Sequence, residues 1–288
     1  MKAIIQLLRI RQWVKNFFVL APLFFGAELF HFPAIARAVS AFVIFCLVSS
    51  AVYIFNDWRD VEADRQHVKK RLRPLPSGAI SAPTALGIMA GLLVTAGVVA
   101  LFSAMPPNFL FTLGIYIAVN VGYSLGLKQI SLVELFLVSS GFVLRLIAGG
   151  FATGIELSSW IVAATLMVTL LLTVGKRRGD IAQENDSMTK RSSLAQYNLT
   201  YLDAVLTALV GATLVVYLLF CVSDYAVIRF GQFVLVTAIP VTLGLLRYLQ
   251  LVMVGGGGDS PTDLVLSDAG MIAVLTVFVA MFAGLIYS

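Results

Sequence analysis

Long apolar runs decide most of what this chain can become. Stretches at 17–36, 38–56, 83–104, 108–126, 131–152, 158–176, 202–222, 231–253 and 268–287 carry few charges. Each is roughly 20 residues long, the length that crosses a bilayer core as helix. Of the 288 residues, 59% are hydrophobic and 12% charged, whereas soluble domains are about 45–50% apolar. The excess falls inside these runs. The chain therefore reads as an all-α, polytopic membrane helical bundle with nine transmembrane helices, forming a single membrane-embedded domain over residues 1–288.

Residues 1–16 lack the small-residue cleavage site of a signal peptide. They read as an interfacial lead-in, with Ile4, Leu7, Leu8 and Ile10 toward lipid and Arg9, Arg11 and Lys15 toward water or headgroups. Basic residues gather at Lys2, Arg9, Arg11 and Lys15, at Arg59 to Arg73, at Lys128, and at Lys176 to Arg178 with Lys190 and Arg191. The opposite ends hold little beyond Arg37 and Arg229. Because positive loops stay in the cytoplasm, this pattern predicts a cytoplasmic N-terminus, an outer C-terminus, and function on the cytoplasmic side in loops 57–82 and 177–201. The net charge of +5 is then a one-sided basic face tied to membrane ends, which speaks against nucleic acid. Cys46 and Cys221 lie in separate apolar runs and read as inert packing. His31 and His67 are isolated, so there is no zinc signature. "GGGG" at 255–258 reads as a hinge.

Against this background "YIFNDWRDVEADRQH", beginning at Tyr53, is anomalous. If helix continues past Asn56, then Asp57, Asp60 and Asp64 stand three and four residues apart on one stripe, and Asn56 is four from Asp60. Carboxylates crowded at a membrane end need a cation among them. Hard oxygen ligands suit Mg²⁺, which takes one or two carboxylates plus substrate phosphates. Asn56, Asp57, Asp60 and Asp64 are the candidate ligands. The plainer alternative is a solvated loop whose acids pair with Arg59, Arg65 and Lys69. Nearby, "HVKKRLRPLPSG" offers Lys69, Lys70, Arg71 and Arg73, and acids beside bases describe a site for a metal-complexed diphosphate. Arg145 and Arg247 lie deep in apolar runs and call for an acidic partner or an anionic ligand. Glu134 is eleven residues from Arg145 and shares its helical face.

The pattern N-D-x-x-D-x-x-x-D after a second span resembles the first aspartate-rich motif of the UbiA superfamily of membrane prenyltransferases. "NDWRDVEADRQHVKKRLRPLPSG", "RIRQWVKNFFVLAPLFF", "YSLGLK" at 123–128, "GFVLRLIAGG" at 141–150, "SWIVAATLMVTLLLTVGKRRGD" at 159–180 and "LLRYLQLV" at 245–252 are similar to the branch containing decaprenyl-phosphate phosphoribosyltransferase. The likeness covers nearly the whole chain. Aromatic-acceptor members carry a second acidic motif after span six. Here that place holds Lys176, Arg177, Arg178 and the single acid Asp180. Three cations suit a phosphate group, although a stop-transfer cluster would look the same.

The resemblance thus implies a UbiA-type fold and a transferase acting in cell-wall precursor synthesis. It implies transfer of a 5-phosphoribosyl group from 5-phosphoribosyl 1-diphosphate to a polyprenyl phosphate, with Mg²⁺, or Mn²⁺ in its place, on Asp57, Asp60 and Asp64 as the catalytic acids. Lys15, Asn56, Lys70, Arg71, Tyr123, Lys128, Arg145, Lys176, Arg177, Arg178 and Asp180 are the expected substrate contacts. The expected partners are an isoprenoid lipid phosphate, the phosphoribosyl donor and membrane lipids, with room for a homo-oligomer. The expected setting is a bacterial inner membrane. Two other readings compete. One is a Mg²⁺-dependent prenyltransferase moving a polyprenyl group from its diphosphate to an aromatic or other small acceptor. The other is a transporter of phosphorylated metabolites, which would spread its charges through the depth of the bundle.

Overall fold

The protein is described here from a computed structural model covering residues 2–183, 194–255 and 261–287. Every described element is helical. The residues up to Leu157 pack as one unit and the described residues from Ser158 onward as another.

The first unit is organised around its longest helix. It contains α1 (Lys2–Leu8), a 3-10 segment (Ile10–Val19), α2 (Ala21–Phe25), α3 (Phe32–Arg59) and α4 (Val61–Arg65). A 3-10 turn (Lys70–Leu72), α5 (Ala82–Phe102), α6 (Pro107–Leu125) and α7 (Val133–Thr153) follow. Helix starts follow local chemistry. Pro33, Pro83 and Pro107 sit in first turns, where a missing N–H costs nothing. The Ser81 hydroxyl caps α5 by accepting from the Thr84 N–H at 3.3 Å. α3 has no exposed residue from Ile44 to Asp57. Its Ala41, Ile44, Phe45, Val48 and Val52 share a core with Ala96 of α5, Phe109 and Tyr116 of α6, and Ala148 and Ala152 of α7. Between lipid-facing helices close packing, more than expulsion from water, holds the contact, and small residues permit it. Gly149 shows this directly, because a Cβ there would overlap the Val19 carbonyl.

The expected first span, 17–36, is not one helix. Residues 10–25 form a 3-10 piece and a short α-helix, and α3 already begins at Phe32. The pieces run antiparallel to α3. Trp13 Nε1 donates to Ser50 Oγ at 3.0 Å, Asn16 Nδ2 to Ser49 Oγ at 3.2 Å, and the Phe17 ring meets Phe42 at 5.2 Å. At their usual rises the two pieces cover about 27 Å, close to a bilayer core. Buried polar anchors, not helical hydrogen bonds alone, fix this stretch, and its weaker periodicity hid them. Leu7 also departs from expectation. It is 1% exposed and packs with Ile54, Leu75, Ile80 and Ala85, so it faces protein and not lipid.

The second unit comprises α8 (Ser159–Gln183), α9 (Leu199–Cys221), α10 (Asp224–Phe230), a 3-10 segment (Gln232–Thr237), α11 (Ala238–Met253), α12 (Pro261–Ser267) and α13 (Ala269–Tyr287). α8 packs on α9, and α11 on both α9 and α13. Tyr217 and Thr237 share a hydroxyl hydrogen bond of 2.6 Å. The loop expected at 177–201 is shorter than supposed, because α8 continues to Gln183. Lys190, Arg191 and most of the glycine run lie outside the described residues.

Among the described residues eight helices are long and apolar enough to cross a membrane. They match the expected spans from the second onward. Their outward faces are apolar too: on α13, Leu275, Val277 and Val279 are exposed, which suits a hydrocarbon solvent. This is a multi-pass membrane protein. Both cysteines are free and buried.

Candidate active site

The acidic stripe forms as the spacing predicts, with a bend. α3 runs through Asp57 to Arg59. Asp60 ends it, and the chain restarts as α4, with the Asp64 N–H donating to the Asp60 carbonyl at 2.8 Å. Asp57 and Asp64 are buried, Asp60 less so.

Each carboxylate is met by a cation from elsewhere in this unit. Arg9 Nη2 donates to Asp57 Oδ1. Arg73 Nη1 bridges two acids, 3.2 Å from Asp57 Oδ1 and 2.6 Å from Asp64 Oδ2. Lys128 Nζ donates to Asp60 at 2.6 Å from Oδ2. Asn56 holds the arrangement at its centre: its Nδ2 donates to Asp60 Oδ2 at 3.2 Å, and its Oδ1 accepts from Ser124 Oγ at 3.1 Å. Three carboxylates and three cations therefore balance. This satisfies the requirement that buried charge be paired.

Packing explains how the distant cations arrive. Pro74, Leu75 and Pro76 are buried, and Leu75 and Ile80 join Leu7 and Ile54 in one apolar cluster. That fold-back turns Arg73 toward the acids. Lys128 sits in a 3-10 turn (Leu127–Gln129) after α6, entered through Gly126 at φ 148°, a conformation that favours glycine.

The donor set fits a hard divalent cation. Asp57 Oδ1 takes both of its hydrogen bonds, and among the described residues none reaches the other oxygen of this buried group. Asp64 likewise has one oxygen engaged by Arg73. Each of the two keeps a spare oxygen, and Mg²⁺ asks for one or two carboxylates plus phosphate oxygens. The described residues contain no group of three or more acids, histidines or cysteines already gathered as a metal cage. Asp60 instead faces Lys128.

The other expected residues divide. Lys15 is half-buried and, among the described residues, makes no hydrogen bond or ion pair. Arg71 is exposed, while Lys70 and Tyr123 are half-buried. Arg145 is 4% exposed and needs no acid. Its Nε donates to Asn16 Oδ1 at 2.7 Å, Nη1 to the Gly141 carbonyl at 2.7 Å, and Nη2 to Tyr116 Oη at 2.8 Å. The Tyr116 and Phe142 rings lie 4.7 and 5.6 Å from its guanidinium carbon. Neutral dipoles and ring faces thus hold the charge. Glu134 is fully buried. Arg73 is one of the bases the sequence offered beside the acids, whereas Arg9 escaped the sequence reading. Arg9 read as a headgroup contact, and nothing in its sequence neighbourhood signals a partner forty-eight positions away.

In the second unit Arg177 is buried and donates to Asp180 Oδ2 at 2.8 Å, while Lys176 is exposed. Arg178 is committed to structure. It reaches Asp203 at 3.0 Å and the Val252 and Met253 carbonyls at 2.8 and 3.3 Å, tying α8 to α9 and to the end of α11. Arg247 pairs with Asp268 at 2.7 Å. The Arg247 hydrogen bond is the main reason the Asp268 carboxyl is held below its usual range.

Known proteins resemble this chain over nearly its whole length. Residues 17–256 match the model of the UbiA prenyltransferase family. The chain is 38% identical over 269 residues to a decaprenyl-phosphate phosphoribosyltransferase of Corynebacterium glutamicum, covering 92% of this chain and 80% of that one. It is 35% identical over 296 residues to the protein of that name from Mycolicibacterium smegmatis, covering 99% and 92%. A solved UbiA homolog from Archaeoglobus fulgidus bound to GPP and Mg²⁺ superposes with a TM-score of 0.71 at 17% identity, over 99% of this chain and 100% of that one, a likeness of fold. The chain belongs to the UbiA prenyltransferase family.

Proposed function

We propose that this protein is a membrane phosphoribosyltransferase that moves the 5-phosphoribosyl group of 5-phosphoribosyl 1-diphosphate onto a polyprenyl phosphate. Likeness over nearly the full chain to enzymes named for decaprenyl phosphate carries the reading. The charge lattice at the end of α3 suits it. A Mg²⁺ ion, or Mn²⁺, held by Asp57 and Asp64 with Asp60 beside them would neutralise the leaving diphosphate. Arg9, Arg73 and Lys128 sit on those acids in the free protein and are the cations available to the phosphate oxygens, with Lys15, Lys70 and Arg71 nearby in sequence. Lys176 and Arg177 are assigned to the donor's 5-phosphate, and Arg178 to holding α8 in place.

An oxygen of the lipid phosphate attacks ribose C1 as the C1–oxygen bond breaks, and diphosphate leaves with the bonding pair. The attacking oxygen is already ionised, so no side chain has to remove a proton. The residues supply charge and position, and fixed charges aimed at the separating groups are a large catalytic term. The isoprenoid tail asks only for an apolar surface. The one-sided basic residues orient this chemistry toward the cytoplasm of a bacterial inner membrane.

The test is purified protein in detergent with labelled phosphoribosyl diphosphate, Mg²⁺ and a series of polyprenyl phosphates, scored for label in the lipid phase. Label that depends on all three components is the expected outcome. Transfer from a polyprenyl diphosphate to an aromatic acid, with none from the phosphoribosyl donor, would replace the reading.

A further inference from the structure

Asp57 is held by two guanidinium groups, and they are held differently. Arg73 is fixed by two acids at once. Arg9 has one carboxylate, Asp57, and one other seat: its guanidinium carbon lies 4.9 Å from the centroid of the Tyr53 ring, one helical turn before Asp57. The Arg9 side chain is 22% exposed, against 3% for Asp57. Its backbone is left-handed, φ 50° and ψ 46°, at the joint between α1 and the 3-10 segment, where non-glycine residues are uncommon. The joint turns Arg9 inward, although its neighbours Ile10 and Arg11 are exposed.

We propose that Arg9 is a diphosphate-binding residue kept in reserve on Asp57. In the free protein it neutralises the carboxylate and so competes with a divalent cation for it. When a metal-complexed diphosphate binds, Asp57 turns to the metal. Arg9 then keeps its seat over Tyr53 by cation–π attraction and donates to a phosphate oxygen. This rests on the proposed function above in taking Asp57 as a metal ligand and a diphosphate as the group bound beside it.

The consequence is a pair of opposite effects, which a purely structural arginine would not produce. Free Mn²⁺ is followed by electron paramagnetic resonance in titrations of the full-length protein, with and without inorganic diphosphate. Arg9→Gln is expected to tighten Mn²⁺ alone several-fold. It should weaken diphosphate binding in the presence of Mn²⁺ at least about tenfold, the loss of one charge-assisted hydrogen bond. Tyr53→Leu keeps the Arg9–Asp57 pair and removes the second seat. It should leave Mn²⁺ affinity unchanged and weaken diphosphate, and it serves as the independent variant where Arg9→Gln does not fold. Asp57→Ala is the control. If it leaves Mn²⁺ binding intact, the metal assignment fails. If it abolishes Mn²⁺ binding while Arg9→Gln moves both affinities in the same direction or neither, the assignment stands and the proposal for Arg9 is overturned. If Tyr53→Leu leaves diphosphate binding intact, the two-seat account is overturned.

Discussion

Arg145 Nε and Asn16 Oδ1 meet at 2.7 Å, joining a cation deep in α7 to an amide on the 3-10 segment across 129 positions of chain. Asn16 also donates to Ser49 Oγ and to Cys46 Sγ, and it is fully buried. One side chain thus satisfies α3 and α7 together. Asn16→Leu keeps the branched shape of the side chain and removes its hydrogen bonds. A lost hydrogen bond to a buried charge costs about 1.5–3 kcal/mol, so this variant should melt at a clearly lower temperature in detergent. An unchanged melt would show that Arg145 finds other partners.

The acids at the end of α3 should be separable into fold and function. Asp57→Ala and Asp60→Ala each leave a cation without its partner, Arg9 in the first case and Lys128 in the second. Arg73 retains Asp64 in both. Both variants should still elute as folded protein. Both should lose turnover by about a thousandfold, the several kcal/mol expected of a metal and leaving-group site. Near wild-type rates at saturating Mg²⁺ for either variant would remove that residue from the site.

The basic run of α8 makes a prediction about the donor. Lys176→Ala or Arg177→Ala should weaken use of phosphoribosyl diphosphate at least about tenfold, because charge-assisted bonds to a remote group also aid the chemical step. A ribose 1-diphosphate lacking the 5-phosphate should be a poor donor for wild type and much less sensitive to these changes. Equal losses with both donors would show that the run does not read the 5-phosphate. Arg178→Ala should behave differently and lower stability, since Asp203 and two α11 carbonyls lose their donor.

Asp268 provides a pH test in the second unit. Its carboxyl titrates below the usual range, chiefly because Arg247 donates to it. A depressed folded value means that the pair stabilises the protein fully above the unfolded carboxylate range, near pH 4, and that the contribution is lost as pH falls through the folded value. The melting-temperature gap between wild type and Asp268→Asn should therefore be constant from about pH 6 to 8 and close on acidification. A gap that widens at low pH would reverse the sign and the explanation.

The apolar runs and the Asn56–Asp57–Asp60–Asp64 spacing were legible along the chain because both are local. Run length matches bilayer thickness, and three-and-four spacing is a property of one helix. From them followed the membrane class, the spans after the first and the shared face of the acids. Lys128 and Arg73 were expected near a diphosphate, but which cation meets which acid, and that Arg9 is among them, was not legible. Arg9, Arg73 and Lys128 reach them from an N-terminal joint, a folded-back loop and a turn after α6, and no periodicity links those positions. The broken first crossing escaped for the same reason. Asn16 and Trp13 fall in the stretch that reads as an interfacial lead-in until Ser49, Ser50 and Arg145 are seen beside them. Local pattern sets which residues share a helix face, whereas only the packing of helix on helix decides which charge ends up opposite which.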